Sequence, residues 1–347
     1  MSLSILRIVG FIIGIFLIVL GLSMAVPMLT LLHFDQPEGL MPFIASSIIT
    51  LAFGALLVLQ RPEQNTQFRP RDMYFLTTAT WVGVGLFASL PMVFDPHISL
   101  ANAFFETLSG ITTTGATVLS HLDKASPGLL IWRSMLHWLG GIGFIAMAVA
   151  VLPVLRVGGM RLFQTESSDW SEKVTPRSHI AAKYIVGIYI VFTLTAIAAF
   201  RWSGMTLFDA INHAMSSVAT GGFSTSDQSM GKFPHASHWV AIFYMLLGSL
   251  PFVLYVAVVR GNHRALFKDQ QVRGFLGLVL VVSAICSLWY WLHSDNSSLD
   301  AIRIATFHVV SVLSTTGFAL NDYSAWGSFA VMAFFYLTFI GGCSGST

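Results

Sequence analysis

The residues with the clearest chemical potential are threonines and glycines in three short stretches between apolar segments. The first reads Thr112-Thr113-Thr114-Gly115-Ala116-Thr117, and related stretches occur at Thr220-Gly221-Gly222-Phe223 and Thr315-Thr316-Gly317-Phe318. A dehydrated cation needs a shell of oxygen atoms, which backbone carbonyls supply without a net charge that would trap the ion. Glycine adopts the backbone angles that aim successive carbonyls at one axis, and threonine hydroxyls can add further oxygens. The stretches therefore predict loops that line a cation pathway.

The three stretches align on Gly115, Gly222 and Gly317. Any one of them alone is a common packing turn, but self-similarity at a long period is typical of repeated units. Polar residues nine positions before the glycine lie inside apolar segments, where an ionisable group is a functional hypothesis by default. We favour structural support of the loops over direct ion contact for these three. The shared positions are Thr113, Thr220 and Thr315 (two before), Ser109, Ser216 and Ser311 (six before), Glu106, His213 and His308 (nine before), and Ser120, Asp227 and Asp322 (five after).

Composition places the chain in a membrane. Of its 347 residues, 55% are hydrophobic and only 10% are charged, whereas soluble domains carry about 25% charged residues. The apolar segments are continuous rather than alternating, which favours helices over a β-barrel. A net charge of +2 gives no indication of a nucleic-acid partner, and Cys286 and Cys343 lie in separate apolar segments and form no disulfide or metal-site pattern.

Eight segments are predicted to span the membrane, and three shorter apolar stretches are predicted to be re-entrant half-helices. Each half-helix precedes one of the threonine–glycine loops and points its partially negative C-terminal end toward the cavity. Non-helical backbone at membrane depth is tolerated only where it is buried in protein or lines a watery cavity. The spans are about Ile8–Leu32, Pro42–Gln60, Tyr74–Phe94, Leu129–Leu155, Ile180–Phe200, Trp239–Val259, Gly274–Leu292 and Phe329 onward; the half-helices are Leu100–Ile111, Leu207–Ala219 and Ala301–Ser314.

Charge asymmetry predicts the orientation. With a cytoplasmic N-terminus, 13 of the 18 lysines and arginines fall on the cytoplasmic side, as the positive-inside rule requires. The loops then face the other side together with most of the acids, including Asp123, Asp209, Asp227 and Asp322. Such acids either steer cations to the mouth or simply complete an ordinary topology. The only basic residue of the span after the first loop, Arg133, is interpreted as an interfacial anchor.

A second unusual feature is a run of small residues, Gly341-Gly342-Cys343-Ser344-Gly345-Ser346-Thr347. It interrupts the apolar span that starts near Phe329. A break at this depth should line a cavity; the alternative is a small-residue seam for helix packing. Pro251 should bend the span that contains it.

Seven motifs of the chain occur together: TTTGATVL, WRSMLHWLGGIGFIAMAVAVLP, VGGMRLF, KVTPR, ATGGFSTSD, STTGFALNDY and FIGGCSGST. In combination they resemble the TrkH/TrkG/KtrB superfamily of potassium-uptake proteins, closest to its TrkH branch. The resemblance covers nearly the whole chain. It implies an all-α polytopic membrane protein with repeated span, pore half-helix, filter loop and span units around a pseudo-fourfold pore. Two extra transmembrane helices would occupy residues 1–66, and the first repeat residues 67–162. A cytoplasmic loop and the second repeat would occupy 163–270. The third repeat, 271–347, would be truncated at the gating loop, with the fourth repeat missing.

The resemblance also assigns residues and partners. Potassium would be the transported ion, without a cofactor, and Gly115 stands where sodium-preferring members tend to carry serine. The implied partners are membrane lipid, a cytosolic nucleotide-binding TrkA-like regulatory subunit and a second copy of the chain, in a bacterial cytoplasmic membrane. The implied filter is Thr113, Thr114, Gly115, Thr220, Gly221, Gly222, Thr315, Thr316 and Gly317, with Glu106, His213 and His308 as its support; the implied gate is Gly341, Gly342, Cys343, Ser344, Gly345 and Ser346.

Two other functions were weighed. An intramembrane serine protease would use Ser344 in its G-x-S-G pattern, but such an enzyme needs a histidine base within hydrogen-bond reach, and His213 and His308 lie on the outer half-helices. An ammonium-type channel would use paired histidines in full spans, and the threonine loops would then be unexplained. The sequence therefore favours a transporter over an enzyme.

Overall fold

A computed structural model of the chain describes residues 3–60, 70–95, 98–155 and 178–347. Within these ranges the regular structure is entirely α-helix and short 3-10 turns, which agrees with the predicted all-α class. The motifs VGGMRLF and KVTPR, and the predicted boundaries near residues 66 and 162, lie outside the described residues.

The N-terminal part is a pair of antiparallel helical rods. Helices α1 (Leu3–Ser23) and α2 (Ala25–His33) follow one another almost without interruption and pack beside α3 (Leu40–Leu59). A Cβ at Gly14 would lie 2.8 Å from the carbonyl oxygen of Gly54, so α1 and α3 approach closely through small residues, as membrane helices often do.

Three successive units then follow the same order of a long helix, a short helix, a loop and a second helix. Each short helix begins at a serine or threonine, Ser99, Thr206 or Ser297, whose side chain accepts a hydrogen bond from the backbone N–H three residues on. The first unit is α4 (Pro70–Val93), α5 (Leu100–Ile111) and α6 (Pro127–Leu155). The second is α7 (Ser178–Trp202), α8 (Leu207–Val218), α9 (His235–Gly248) and α10 (Phe252–Val259). After α11 (Ala265–Lys268), the third is α12 (Gln270–Leu292), α13 (Ser298–Leu313) and α14 (Ser328–Leu337).

The short helices match their predicted positions closely. Helix α5 has the predicted bounds, α8 ends one residue before the predicted end, and α13 begins three residues earlier than predicted because Ser297 provides its N-terminal cap. Five helical segments among the described residues are long and apolar enough to cross a membrane: Ile5–His33, Pro37–Leu59, Tyr74–Val93, Lys183–Trp202 and Gln270–Leu292.

The predicted span Trp239–Val259 consists of two helices, and the predicted bend at Pro251 is confirmed. Helices α9 and α10 meet at 88° across Ser249-Leu250-Pro251, so the helix is interrupted there. Pro251 supplies no N–H and its ring opposes helix continuation. The backbone groups freed by the break are paired with the segment after α14: the Cys343 N–H donates to the Ser249 carbonyl at 3.0 Å, and the Phe252 N–H donates to the Gly345 carbonyl at 3.0 Å.

The last predicted span, from Phe329 onward, is interrupted as predicted. Helix α14 contains 10 residues and ends at Leu337, and residues 338–347 are not helical. Gly341 and Gly345 have φ angles of 71° and 81°, which belong to the left-handed region. The run of small residues is therefore an irregular segment, and the alternative of a continuous helix-packing seam is wrong.

Candidate functional site

The three threonine–glycine loops have the same backbone conformation. Thr113, Thr220 and Thr315 have φ angles of 55°, 50° and 59°, and the glycines two residues later, Gly115, Gly222 and Gly317, have φ angles of 75°, 86° and 81°. Positive φ is uncommon for a residue other than glycine and strained for a β-branched one. Because the same strained conformation recurs in all three loops, it is a shared structural feature of these loops.

Each loop is attached to the helix that precedes it through a serine six residues before the glycine. The carbonyl oxygens of Ser109, Ser216 and Ser311 accept hydrogen bonds from the loop. The donors are the N–H groups of Thr114 (2.9 Å), Gly221 (2.8 Å) and Thr316 (2.9 Å). This bond folds the chain back over the C-terminal end of each half-helix.

Neighbouring loops touch in the order of the chain. A Cβ added at Gly115 would overlap the carbonyl oxygen of Gly221, and one added at Gly222 would overlap the carbonyl oxygen of Thr316. Gly317 has no atom within 4 Å of its Cβ position among the described residues. Glycine is thus required at Gly115 and Gly222 for two reasons, the left-handed backbone and the close approach of the next loop.

Glu106 joins the first half-helix to the segment after its loop. Its carboxylate accepts hydrogen bonds from the Thr117 hydroxyl (2.8 Å) and the Val118 N–H (3.0 Å), and it forms a 2.7 Å ion pair with Nε of Arg133. These contacts connect the first half-helix both to the segment after its loop and to α6.

His213 and His308 occupy the same position in the other two units. Nδ1 of each ring lies against the carbonyl four residues earlier, at 2.8 Å and 2.9 Å, and therefore carries the proton. The other nitrogen of each ring faces the segment after the loop: His213 Nε2 lies 3.0 Å from the Ser224 hydroxyl, and His308 Nε2 lies 3.0 Å from the Asn321 carbonyl and 3.2 Å from the Leu320 backbone nitrogen. An imidazole thus replaces the carboxylate of the first unit.

The interpretation of Arg133 as an interfacial anchor is wrong, because its side chain is only 1% exposed. Besides Glu106, the guanidinium donates to the Ser224 carbonyl (3.2 Å) and the Thr117 hydroxyl (3.2 Å) and lies 4.1 Å from the centre of the Phe223 ring. A buried charge is tolerated only when it is paired and hydrogen-bonded. The signal for this role was the pairing of one acid on the first half-helix with one arginine in the following span.

The outer acids are largely engaged in structure. Asp123 accepts from Lys232 Nζ at 2.6 Å and from the Ser226 hydroxyl at 3.2 Å, and the Lys232 hydrogen bond lowers the pKa of Asp123 although burial opposes this. Asp209 accepts from the Thr225 hydroxyl at 2.6 Å, and Asp300 pairs with Arg303 at 2.7 Å. The predicted steering charge is therefore partly neutralised.

The irregular segment Gly341–Thr347 lies against the second unit. The Thr347 hydroxyl lies within hydrogen-bond distance of the carbonyls of Val218 (3.0 Å) and Gly248 (2.9 Å), either of which can accept its one proton, and the Thr220 hydroxyl donates to the Thr347 carbonyl at 3.1 Å. The Cβ position of Gly341 is 3.8 Å from the Thr315 methyl carbon. The small residues thus lie beside the threonines that open the second and third loops.

No arrangement for hydrolysis surrounds Ser344 in the described part of the chain. His213 and His308 are already bonded to the loops, and neither forms a hydrogen bond with Ser344. Across the same residues, no group of three or more His, Cys, Asp or Glu side chains is placed to hold a metal ion.

Comparison with known proteins gives one consistent family. The family model TrkH, described as a cation transport protein, matches residues 39–347. The Trk system potassium uptake protein TrkI of Halomonas elongata is 48% identical over 333 residues, covering 95% of this chain and 67% of that protein. TrkH of Escherichia coli K12, also a Trk system potassium uptake protein, is 35% identical over 344 residues, covering 97% and 71%.

A solved structure agrees with these relatives. The crystal structure of the potassium transporter TrkH from Vibrio parahaemolyticus superposes with a TM-score of 0.87 at 34% identity, covering 99% of this chain and 71% of that one. The helices, the loops and the relatives together describe a membrane transporter and not an enzyme. The chain belongs to the TrkH family of cation transport proteins.

Proposed function

We propose that this chain forms most of the pore of a potassium-uptake system in the bacterial cytoplasmic membrane. The observation that carries the proposal is the ordered contact of the loops, in which Gly115 meets the Gly221 carbonyl and Gly222 meets the Thr316 carbonyl. Successive carbonyls are thereby brought to one place by loops of the same conformation. The relatives are potassium uptake proteins, and potassium is therefore the ion proposed for this chain.

The threonine hydroxyls suit a cation rather than an anion. Thr113 Oγ1 donates to the Thr112 carbonyl (2.7 Å), Thr315 Oγ1 to the Ser314 carbonyl (2.7 Å) and Thr220 Oγ1 to the Thr347 carbonyl (3.1 Å). A hydroxyl has one proton and two lone pairs. Since the proton is already used, each oxygen has only lone pairs left to present to an ion.

The three loops are best explained as part of a pseudo-fourfold ring. Each of the first two glycines meets the carbonyl of the next loop, whereas the corresponding side of Gly317 is open among the described residues. A fourth loop of the same kind would complete the series. In this arrangement residues 1–66 are two additional helices, and 67–162, 163–270 and 271–347 belong to the first three units.

Each loop would contribute its carbonyls and hydroxyls at three consecutive positions, and the polar residues of the half-helices would fix the loops from behind. The filter residues are Thr113, Thr114, Gly115, Thr220, Gly221, Gly222, Thr315, Thr316 and Gly317, with Glu106, His213 and His308 as support. Gly341, Gly342, Cys343, Ser344, Gly345 and Ser346 would form a gate on the cytoplasmic side of the filter. The bonds to Ser249, Phe252 and Thr220 described above would hold this gate closed.

The same proposal includes a cytosolic nucleotide-binding regulatory subunit, a second copy of the chain and a cytoplasmic N-terminus. It rests on the family for these partners. A regulatory subunit would act by loosening the gate segment from the α9–α10 break. Proteolysis by Ser344 has no support, since the described residues place no base beside it.

The test is growth of an uptake-deficient bacterium in limiting potassium, with the complete four-loop transporter and its G115S variant. We expect the wild type to restore growth. The variant should lose at least tenfold in potassium uptake, because a side chain at 115 would overlap the Gly221 carbonyl. S344A tests the protease alternative and should keep part of the uptake, because Ser344 would be a gate residue and not a nucleophile. H293A, which changes an exposed histidine, is the control and should match the wild type. No rescue by the wild type, or equal uptake by G115S, would contradict the proposal.

A further inference from the structure

The second loop lacks side chains that the first and third loops share. In the first loop the hydroxyls of Thr112 and Thr114 lie 2.8 Å apart, and in the third those of Ser314 and Thr316 lie 2.7 Å apart. The second loop has Ala219 and Gly221 at these two positions. It therefore cannot form the hydroxyl pair that braces the other two loops.

The imidazole of His137, from the first unit, occupies the missing side-chain position. A Cβ added at Gly221 would overlap Nδ1 of His137 and would lie 2.6 Å from its Cε1. His137 is 0% exposed. Glycine at 221 is thus explained by the ring of a residue 84 positions earlier in the chain, on α6, and not by backbone conformation, since φ at Gly221 is not positive.

The same ring replaces a second contact of the other loops. Ser109 and Ser311 donate their hydroxyls to the carbonyl just after the loop glycine, both at 2.6 Å. The equivalent Ser216 instead has its hydroxyl 3.2 Å from His137 Nδ1. The ring also stacks on Phe223, the residue after the loop glycine, with 4.1 Å between ring centres and 18° between planes.

The position of His137 matters because of what Gly221 touches on its other side. The Gly221 carbonyl is the oxygen that meets Gly115 of the first loop, and the Gly221 N–H is held by the Ser216 carbonyl at 2.8 Å. Nε2 of His137 is buried with no hydrogen-bond partner among the described residues. An apolar ring would avoid the cost of burying an unpaired nitrogen. The Nδ1 contact with Ser216 is therefore the interaction that favours histidine at this position.

We propose that His137 is a positioning residue of the filter: its imidazole replaces the absent threonine side chain of the second loop and fixes the Gly221 carbonyl against Gly115, which sets the ion selectivity at the junction of loops one and two. This inference rests on the proposed function, since it assigns selectivity to a junction within the proposed filter.

The experiment compares potassium and sodium uptake by the complete transporter carrying H137A, G221T, the pair H137A/G221T, or the triple A219S/G221T/H137A. The triple variant gives the second loop the serine–threonine pair of the third. H293A is the control, because His293 is an exposed histidine whose ring contacts Trp289 and not a loop residue. Protein in the membrane is measured for every variant.

We expect G221T to lose at least tenfold in potassium uptake, since threonine and His137 compete for one space. H137A should keep uptake but lose several-fold in potassium-over-sodium discrimination. The pair should exceed G221T in uptake, and the triple should recover discrimination relative to H137A. H293A should match the wild type. A residue that only fills space would change protein yield without changing discrimination.

Unchanged discrimination in H137A, or uptake by G221T equal to that of the wild type, would overturn the inference while leaving the G115S result intact. If H137A does not accumulate, H137N replaces it, and G221A is then compared in the H137N and wild-type backgrounds. Higher uptake in the H137N background supports the inference, and equal or lower uptake overturns it. Failure of the wild type to transport potassium would overturn both this inference and the proposed function.

Discussion

The junction between the first and second units is built from charges, whereas the junction between the second and third is built mainly from backbone and neutral groups. At the first, Arg133 joins Glu106 to the Ser224 carbonyl, with both charged side chains essentially unexposed. At the second, the Met230 N–H donates to the Ala319 carbonyl at 3.0 Å and the Ala319 N–H donates to the Ser229 hydroxyl at 3.2 Å. The loops above both junctions nevertheless have the same conformation.

An arginine is present at the second junction as well, but in a different setting. Arg303 donates to Nδ1 of His238 at 2.6 Å, so the proton of that ring is on Nε2, which donates to the Met230 carbonyl at 3.0 Å. Its acid, Asp300, is 37% exposed. The comparison shows that the loops share one backbone conformation, whereas the hydrogen-bond partners of the buried polar groups differ from one unit to the next.

The largest expected effect on stability comes from the buried ion pair between Arg133 and Glu106, at the charged junction between the first and second units. R133M leaves the Glu106 carboxylate buried without its counter-charge, and breaking one side of a buried pair costs about 3–5 kcal/mol. We expect a large fall in thermal stability of the purified transporter in detergent. The double variant E106Q/R133M removes both charges and should recover much of that loss. A double variant as unstable as R133M would show that Arg133 acts by packing alone.

The matched change at the second junction is R303M, which should be milder. Asp300 remains solvated when Arg303 is lost, and the main cost is an unsatisfied nitrogen on buried His238, about 1–3 kcal/mol. Equal destabilisation by R133M and R303M would contradict the distinction between the two junctions.

A third junction can be tested through Gly317. In the complete transporter a fourth loop should meet this glycine as the third loop meets Gly222. G317A should then be as damaging as G222A, because alanine in the left-handed region costs about 1–2 kcal/mol and overlap with a neighbouring carbonyl adds about 1–3 kcal/mol. Potassium uptake and thermal stability of the two variants are the measurements. If G317A is destabilised only by the left-handed backbone, and therefore less than G222A, the result would argue against a closed ring of four loops.

The sequence predicted the repeated parts of this molecule well. Helix α5 has its predicted bounds, and Gly115, Gly222 and Gly317 have the unusual backbone angles that were predicted for glycine in all three loops, whereas the left-handed backbone of the threonine two residues earlier was not predicted. Both follow from local patterns: apolar length, a capping residue and a threonine–glycine turn. Repetition made these patterns stronger than any single copy.

The parts that sequence reasoning missed depend on contacts between distant segments. The roles of Arg133 and His137 become visible only when α6 is placed against the second half-helix, since their partners Ser224 and Ser216 lie 91 and 79 residues away. The bend at Pro251 was predicted, but the partners of the backbone groups that it frees were not. Those partners, Cys343 and Gly345, belong to a segment more than 90 residues further along the chain.

The smallest expected effect is at the outer rim of the charged junction, where Asp123 pairs with Lys232. Its carboxylate and the Lys232 ammonium are both substantially exposed, and such pairs contribute about 0.2–1 kcal/mol. The Lys232 hydrogen bond lowers the pKa of Asp123. The pair therefore stabilises the fold above the ordinary aspartate pKa, and this contribution disappears as the pH falls through the lowered value.

D123N removes the charge and should reduce thermal stability slightly at neutral pH and low salt. The difference from the wild type should shrink as the pH is lowered through the acid range, and also in 1 M salt, where the Debye length is about 3 Å. D123N remains able to accept a hydrogen bond, so the Ser226 contact is a shared background in the comparison. A loss that persists unchanged at low pH and high salt would show that the charge of Asp123 is not its source, and the charged character of this junction would then be confined to Arg133 and Glu106.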